Sequence, residues 1–360
     1  MVIDERRDHS IRIPRPDLSV TLGTPNACNS CHTKQSAAWA SELVQKWYGH
    51  APEGFQHFAR ALYAGNEGAP GASSALHALV ADAGQPAIAR ATAMTALSNY
   101  GLAPGDPVMP TAVKDTSPLV RRAAARAVSD LEVAGFADTI APLLSDPVRS
   151  VRIESGYALA ATPAKSLPAN VRAAFDRARD EYVAVQQFNA DRPESHLNLA
   201  SLFERENDPA SAEAELKTAL SLDPSFAPAA VNLSDLDREL GREAEGEAVL
   251  RSALARLPKD APLLHALGLS KVRQKQNAKA LELFAAAVKS DPDSARYSYV
   301  YAVALNDAGQ TDQAIAVLRR SLELHPYDRD SLSALAIFLQ KAGKSSDAAA
   351  VTRRLEQLAQ

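Results

Sequence analysis

Two cysteines in 360 residues are too few for a disulfide-built domain, and a structural zinc site would need a second pair of ligands beside them. No apolar run approaches the roughly 20 residues needed to cross a bilayer. No Lys/Arg block interrupts a formal net charge of -4, which argues against a nucleic-acid binder. Catalytic signatures are missing too. There is no G-x-S-x-G, no H-E-x-x-H and no glycine loop to cradle phosphate, and the Asp and Glu residues are spread as solvated helix faces. The start, MVIDERRDHS, shows no charged n-region, apolar h-region or cleavage site. What remains is an ordinary composition, 46% hydrophobic and 23% charged, in a chain long enough to bury a sizeable core in two or three domains.

The scarce cysteines are not scattered. Both fall in Cys28-Asn29-Ser30-Cys31-His32, which spells C-x-x-C-H, the attachment sequence of a c-type haem. Two thiols three positions apart reach the two vinyl groups of one porphyrin, and the imidazole that follows is placed to bind the iron. The pattern predicts one covalent haem c, with Cys28 and Cys31 as thioether donors and His32 as axial ligand. Two such cysteines could instead form a local disulfide, a redox pair or half of a metal site. A thioredoxin-like pair belongs in an alternating strand–helix context, and none surrounds it. For a sixth ligand the nearest candidates are His9, His50 and His57, with Met94 and Met109 farther off. His77, His196, His265 and His325 fall in repeat helices or turns and read as structural. Covalent haem attachment takes place outside the cytoplasm, so the motif also predicts an exported, periplasmic protein whose signal lies upstream of Met1.

Around the motif, Pro14, Pro16 and Pro25 predict an irregular segment that is extended from Arg12 to Leu18. Ile11, Ile13 and Leu18 could lie on a porphyrin, with Arg12 or Arg15 near its propionates; without a haem the segment is a disordered tail. From Thr33 to Tyr48 the pattern is helical. Trp39, Leu43 and Trp47 form a one-sided apolar stripe, and Gly49 stops the helix. These tryptophans either wall the haem or pack on the repeats.

The rest is repetitive. Residues 55–165 have a period of 31: Arg90, Arg121 and Arg152 share it, as do Ala96, Ala127 and Ala158. Asp115 and Asp146 precede the second and third arginines by six residues, as in HEAT-like turns where an Asp caps a helix and an Arg reaches toward neighbouring turns. Three helix pairs follow, the first with a degenerate leading helix near Leu76 to Val80. Residues 166–190 read as a connecting helix. From 191 to 360 the period is 34, marked by Pro224, Pro258, Pro292 and Pro326, and five tetratricopeptide units fit. Their small first-helix positions are Ala200, Ser234, Gly268, Ala302 and Ala336. Their large second-helix positions are Leu216, Leu250, Phe284 and Leu318, giving way to Thr352. The fold class is therefore all-α: an α-solenoid of HEAT-like then tetratricopeptide helix pairs, behind a short irregular haem-binding segment, residues 1–54.

The stretch RRDHSIRIPRPDLSVTLGTPNACNSCHTKQSAAWASELVQKWYG resembles the last haem segment of large multihaem c-type cytochromes that end in tetratricopeptide repeats. The resemblance covers residues 3–49, and the repeats after it fit the same architecture. In those proteins further C-x-x-C-H motifs and an export signal precede this segment, whereas this chain shows one motif and no leader. The resemblance implies the C-terminal part of such a protein. It also implies that His9, in Arg-Arg-Asp-His-Ser, matches a recurring iron-ligating histidine, either for this haem or for one attached upstream. The function implied is electron transfer rather than catalysis, since a reductase would need haems this chain does not carry. The helical repeats would hold a redox or assembly protein partner. The alternative is a protein-interaction scaffold whose motif is never loaded.

Overall fold

The computed structural model describes residues 14–50, 52, 56–129, 131, 135–163 and 167–358. The chain divides into two compact units, 1–64 and 65–360. No strand occurs among the described residues, and no described helix is long and apolar enough to cross a membrane.

The first unit is built on three helices, α1 (Pro16–Leu22), α2 (Ala27–Cys31) and α3 (Ala37–Tyr48). Residues 16–18, expected to be extended, are helical. Pro16 is the first helical residue, where its missing N–H would be unpaired anyway, Asp17 occupies the first turn, and Gly23 ends the helix at φ 71°. Leu18, expected against a porphyrin, is instead buried in α1, which packs on α3 beside Ala40 and Val44. The α3 helix starts four residues later than the pattern from Thr33 suggested, because the Ser36 side chain accepts from the Trp39 N–H and caps it there. Gly49 ends it as expected, at φ 75° with its N–H on the Gln45 carbonyl. Ile11, Ile13 and Arg12 lie outside the described residues.

The boundary between the units falls within α4 (Ala59–Glu67). The second unit begins with three HEAT-like pairs. These are α5 (Ala72–Ala81) with α6 (Ala87–Ala96), α7 (Val108–Val113) with α8 (Pro118–Ser129), and α9 (Ala137–Ile140) with α10 (Arg149–Leu159). The first leading helix is the regular one, contrary to the sequence expectation. The leading segments of the second and third pairs are short, and they carry Pro110 and Pro142, which cost a donor and crowd the preceding turn.

The 31-residue arginines form a ladder. Arg90 pairs with Asp115, and Arg121 grips Asp146 through Nε and Nη2 at 2.6 and 3.0 Å. Each Asp also accepts the N–H two residues on, from Ser117 and Val148. Arg121 Nη1 bonds the Asp115 carbonyl and Arg152 Nη1 the Asp146 carbonyl, both at 2.8 Å. Each arginine thus ties its own turn to the next repeat. Burial disfavours the Asp146 charge, but the Arg121 and Val148 hydrogen bonds and the Arg152 field outweigh it and hold the carboxyl below its usual range. After the third repeat Arg152 takes Glu181, which lies on α11 (Ala169–Phe188), and Arg179 takes Glu206. The ladder runs into the next region.

There the pairs are α12 (Pro193–Arg205) with α13 (Pro209–Leu222), α14 (Ala227–Glu239) with α15 (Glu243–Arg256), and α16 (Ala261–Arg273) with α17 (Asn277–Ser290). They are followed by α18 (Ala295–Asp307) with α19 (Thr311–Leu324) and α20 (Arg329–Lys341) with α21 (Ser345–Leu358). The four spaced prolines each follow a C-cap residue, where a helix cannot continue. Leu216, Leu250, Phe284 and Leu318 are all 1% exposed or less. Where the third unit has the larger Phe284, its partner is the smallest residue: a Cβ on Gly268 would stand 2.4 Å from the Phe284 ring. Thr352, at the same position of the fifth pair, is exposed. The first and last pairs of this unit approach each other, with Gly68 against Tyr327 and a cavity of about 950 Å³ between the two ends.

Candidate functional site

The motif sits on α2, a helix of five residues. Asn26 starts it: its side-chain oxygen accepts the Asn29 N–H at 3.1 Å, and its amide donates to Ser19 and to Asn29 at 2.8 Å. Asn29, between the cysteines, donates to the Gln35 carbonyl at 2.7 Å, so the motif is pinned to the segments before and after it. Cys28 and Cys31, at i and i+3, share one face of this turn. Both are free thiols, Cys28 half-buried and Cys31 exposed. His32 closes the helix with its N–H on the Cys28 carbonyl at 2.8 Å. Its exposed ring lies 5.0 Å from the Trp39 ring, tilted by 55°.

These groups surround a cavity of about 310 Å³, with both thiols and the imidazole on one side and Trp39, Leu43 and Trp47 of α3 on the other. No charged side chain lines it. Ala40 and Val44, the buried residues of α3, also line it. The tryptophan stripe borders the cavity, and Trp47 stays 70% exposed. Two free thiols, an imidazole and an open aromatic wall around one hollow suit a large planar apolar group bound covalently at its edge. By that test the residues present fit a haem c. The hollow, about 310 Å³, would hold part of such a group.

Of the proposed sixth ligands, His9 lies outside the described residues. His50 and His57 are exposed and do not line the cavity. Met94 and Met109 are 0% and 1% exposed inside the solenoid, so they are packing residues. The histidines read as structural hold repeats together. His77 meets the Ser73 carbonyl and Asp106 at 2.8 and 3.0 Å, His196 meets Glu215 and the Ala190 carbonyl, and His325 meets the Asp293 carbonyl. His265 differs. It is buried between Phe284 and Tyr297, neither ring nitrogen has a hydrogen-bond partner, and burial, with Arg296 nearby, pushes its pKa down to about 4. The sequence reading missed Asn26 and Asn29. An Asn just ahead of a short helix, three residues before a second Asn, is the capping signal that could have found them.

Models of the tetratricopeptide repeat match residues 203–270 and 265–329. These are tetratricopeptide repeats. No curated protein matches the chain. Similar solved structures include a MamA protein, 15% identical over 46% of this chain and 91% of that one, with a TM-score of 0.40. MamA of Desulfovibrio magneticus RS-1 is 19% identical over 46% and 94%, TM-score 0.40. YrrB, described as a TPR protein with an unusual peptide-binding site, is 19% identical over 49% and 90%, TM-score 0.38.

Proposed function

We propose that the chain is a partner-binding helical solenoid whose N-terminal unit carries one covalent haem c and serves electron transfer. The observation that carries this reading is the cavity of the first unit, where Cys28, Cys31 and His32 face Trp39 and Trp47. Cys28 and Cys31 would hold the haem by thioethers and His32 would bind its iron. When bound, the haem supplies one-electron transfer by cycling between Fe(III) and Fe(II). The chain's own part is to fix the donors and to keep water off one side. Asn26 and Asn29 set the pitch of the motif turn, and the α3 indoles present a low-dielectric wall, which is one of the levers that tune a haem's potential. His9, within the resemblance to multihaem cytochromes, remains a proposed second axial ligand. Attachment takes place outside the cytoplasm, so this reading requires export to the periplasm. The tetratricopeptide repeats support protein binding by the solenoid, since stacked helix pairs present an extended surface suited to a partner; a redox or assembly protein fits the haem reading.

The test is expression with export and a c-type maturation system. The purified protein should show the visible bands of reduced haem c, and Cys28→Ser with Cys31→Ser should abolish them. A second reading, a scaffold with an unloaded motif, is favoured by one observation: tetratricopeptide models match residues 203–270 and 265–329. A colourless protein with two titratable thiols would establish it.

A further inference from the structure

Where the HEAT-like pairs pass into the tetratricopeptide units, α6, α8, α10, α11 and α12 lie in one row. Two hollows of about 530 and 250 Å³ run along it and share Arg122, Arg126 and Glu154. Glu154 is buried, with only 8% of its side chain exposed. It accepts from Arg122 Nε at 2.9 Å and from Arg126 Nη1 at 3.4 Å. The two arginines are 51% and 54% exposed, and neither makes another hydrogen bond among the described residues. A guanidinium has five N–H donors, so most of their donors face the groove. This contrasts with Arg121, one position before Arg122, whose donors are taken by Asp146 and two carbonyls. One carboxylate against two guanidiniums leaves one positive charge in excess.

Beside this charge stands an aromatic plate. Tyr157 and Tyr182 stack at 5.2 Å and 16°, Arg205 lies 4.9 Å from the Tyr157 ring centre, and the Tyr182 hydroxyl donates to the Asn198 carbonyl. At the other end Ile88 and Leu119 are 62% and 46% exposed. Open guanidinium donors between an aromatic plate and an apolar lip match a peptide with carboxylate side chains next to a large apolar one. A nucleic acid would need many phosphates neutralised, and this groove offers three guanidiniums against one carboxylate within a chain of net charge -4.

We propose that this groove binds an acidic segment of a protein partner, its carboxylates on Arg122 and Arg126 and a neighbouring apolar side chain on the Tyr157–Tyr182 plate or the Ile88–Leu119 lip. The proposal rests on the reading of the solenoid as a partner-binding surface and is independent of the haem. The test selects a displayed library of random twelve-residue peptides on the full chain. The control is Arg122→Gln with Arg126→Gln and Glu154→Gln, which leaves no buried charge unpaired, and its circular dichroism melt checks the fold. The expected result is peptides rich in Asp and Glu beside Phe, Leu or Ile. A synthetic representative should lose about tenfold in affinity on the triple variant and on Arg126→Gln alone, and should bind more weakly as salt rises. Selected peptides that bind wild type and variant equally would overturn the groove while leaving the partner-binding reading intact. No selected peptide at all would count against both. Tighter binding of a fluorescent single-stranded oligonucleotide, lost on the triple variant, would overturn the peptide assignment.

Discussion

The two halves of the solenoid both join neighbouring repeats by ion pairs, but the HEAT-like half repeats one pair at a fixed spacing. In the HEAT-like half each repeat is tied to the next by a charged rung: Arg90 to Asp115, Arg121 to Asp146, Arg152 to Glu181. In the tetratricopeptide half the charged links between units vary, Arg242 to Glu213, Lys271 to Glu247 and Arg273 to Glu243, and within a pair a small residue faces a large one, as Gly268 faces Phe284. Directional ion pairs join one repeat to the next in both halves, and interlocking shape fits the two helices of a pair to each other. The first solution depends on paired partners, and the second on total volume.

That contrast can be broken at its strongest point. Asp146→Ala should leave Arg121, 13% exposed, without its carboxylate, at a cost of about 3–5 kcal/mol. Replacing both partners, Arg121→Met with Asp146→Leu, should recover much of it. Urea unfolding of wild type and these two variants checks this, and a double variant no better than Asp146→Ala would contradict a pairing origin.

Next in size, Gly268→Ala should destabilise by about 2–3 kcal/mol, because the added Cβ overpacks the Phe284 ring. Adding Phe284→Leu, the arrangement of the other units, should remove most of the penalty. The same urea measurement decides it.

Acid separates the halves further. The folded pKa of His265 is about 4, below the value near 6.5 of an unfolded histidine. The unfolded chain then binds more protons between these values, so stability falls as pH drops from about 6.5 toward 4, by about 2 kcal/mol at pH 5. His265→Leu should flatten that window. The HEAT-like half behaves differently. Asp146 is held below the ordinary carboxylate range, so its contribution is present at neutral pH and is lost only as pH falls below about 4. Hydrogen exchange at pH 5 should show the tetratricopeptide helices around α16 opening before the HEAT-like ones.

The smallest effect expected is from Asp328→Ala, which removes the side chain that accepts the Ser331 N–H at the start of α20. It should cost about 1 kcal/mol, confined to the last pair.

The periodic part of the molecule was readable because both repeats recur at fixed spacing. The 34-residue prolines and the small and large positions land where the helix pairs need them, and the Asp-then-Arg order located the HEAT-like turns. What spacing could not reveal is direction. Arg121 reaches forward 25 residues to Asp146 as well as back to its own turn, and Glu181 replaces an aspartate where the 31-residue pattern ends. Position within the helix overruled breaker character at α1, where Pro16, as the first helical residue, starts a helix that the prolines seemed to forbid. In the head, the residue types Cys28, Cys31 and His32 were evident, but the wall opposite them was not. Trp39 and Trp47 could equally have faced the repeats, and only the fold lines one hollow with both the indoles and the motif. The groove at Arg122 and Arg126 was hidden for a similar reason, since Arg122 stands one step from Arg121 in sequence yet is far more exposed.

The central claim is that the N-terminal unit carries a covalent haem, and intact-protein mass spectrometry of the exported, matured chain tests it most directly. The account predicts a gain of one haem mass, no titratable thiol at Cys28 or Cys31, and loss of the gain in the Cys28→Ser, Cys31→Ser variant. An unmodified mass with both thiols free, from cells that mature another c-type cytochrome normally, would contradict it.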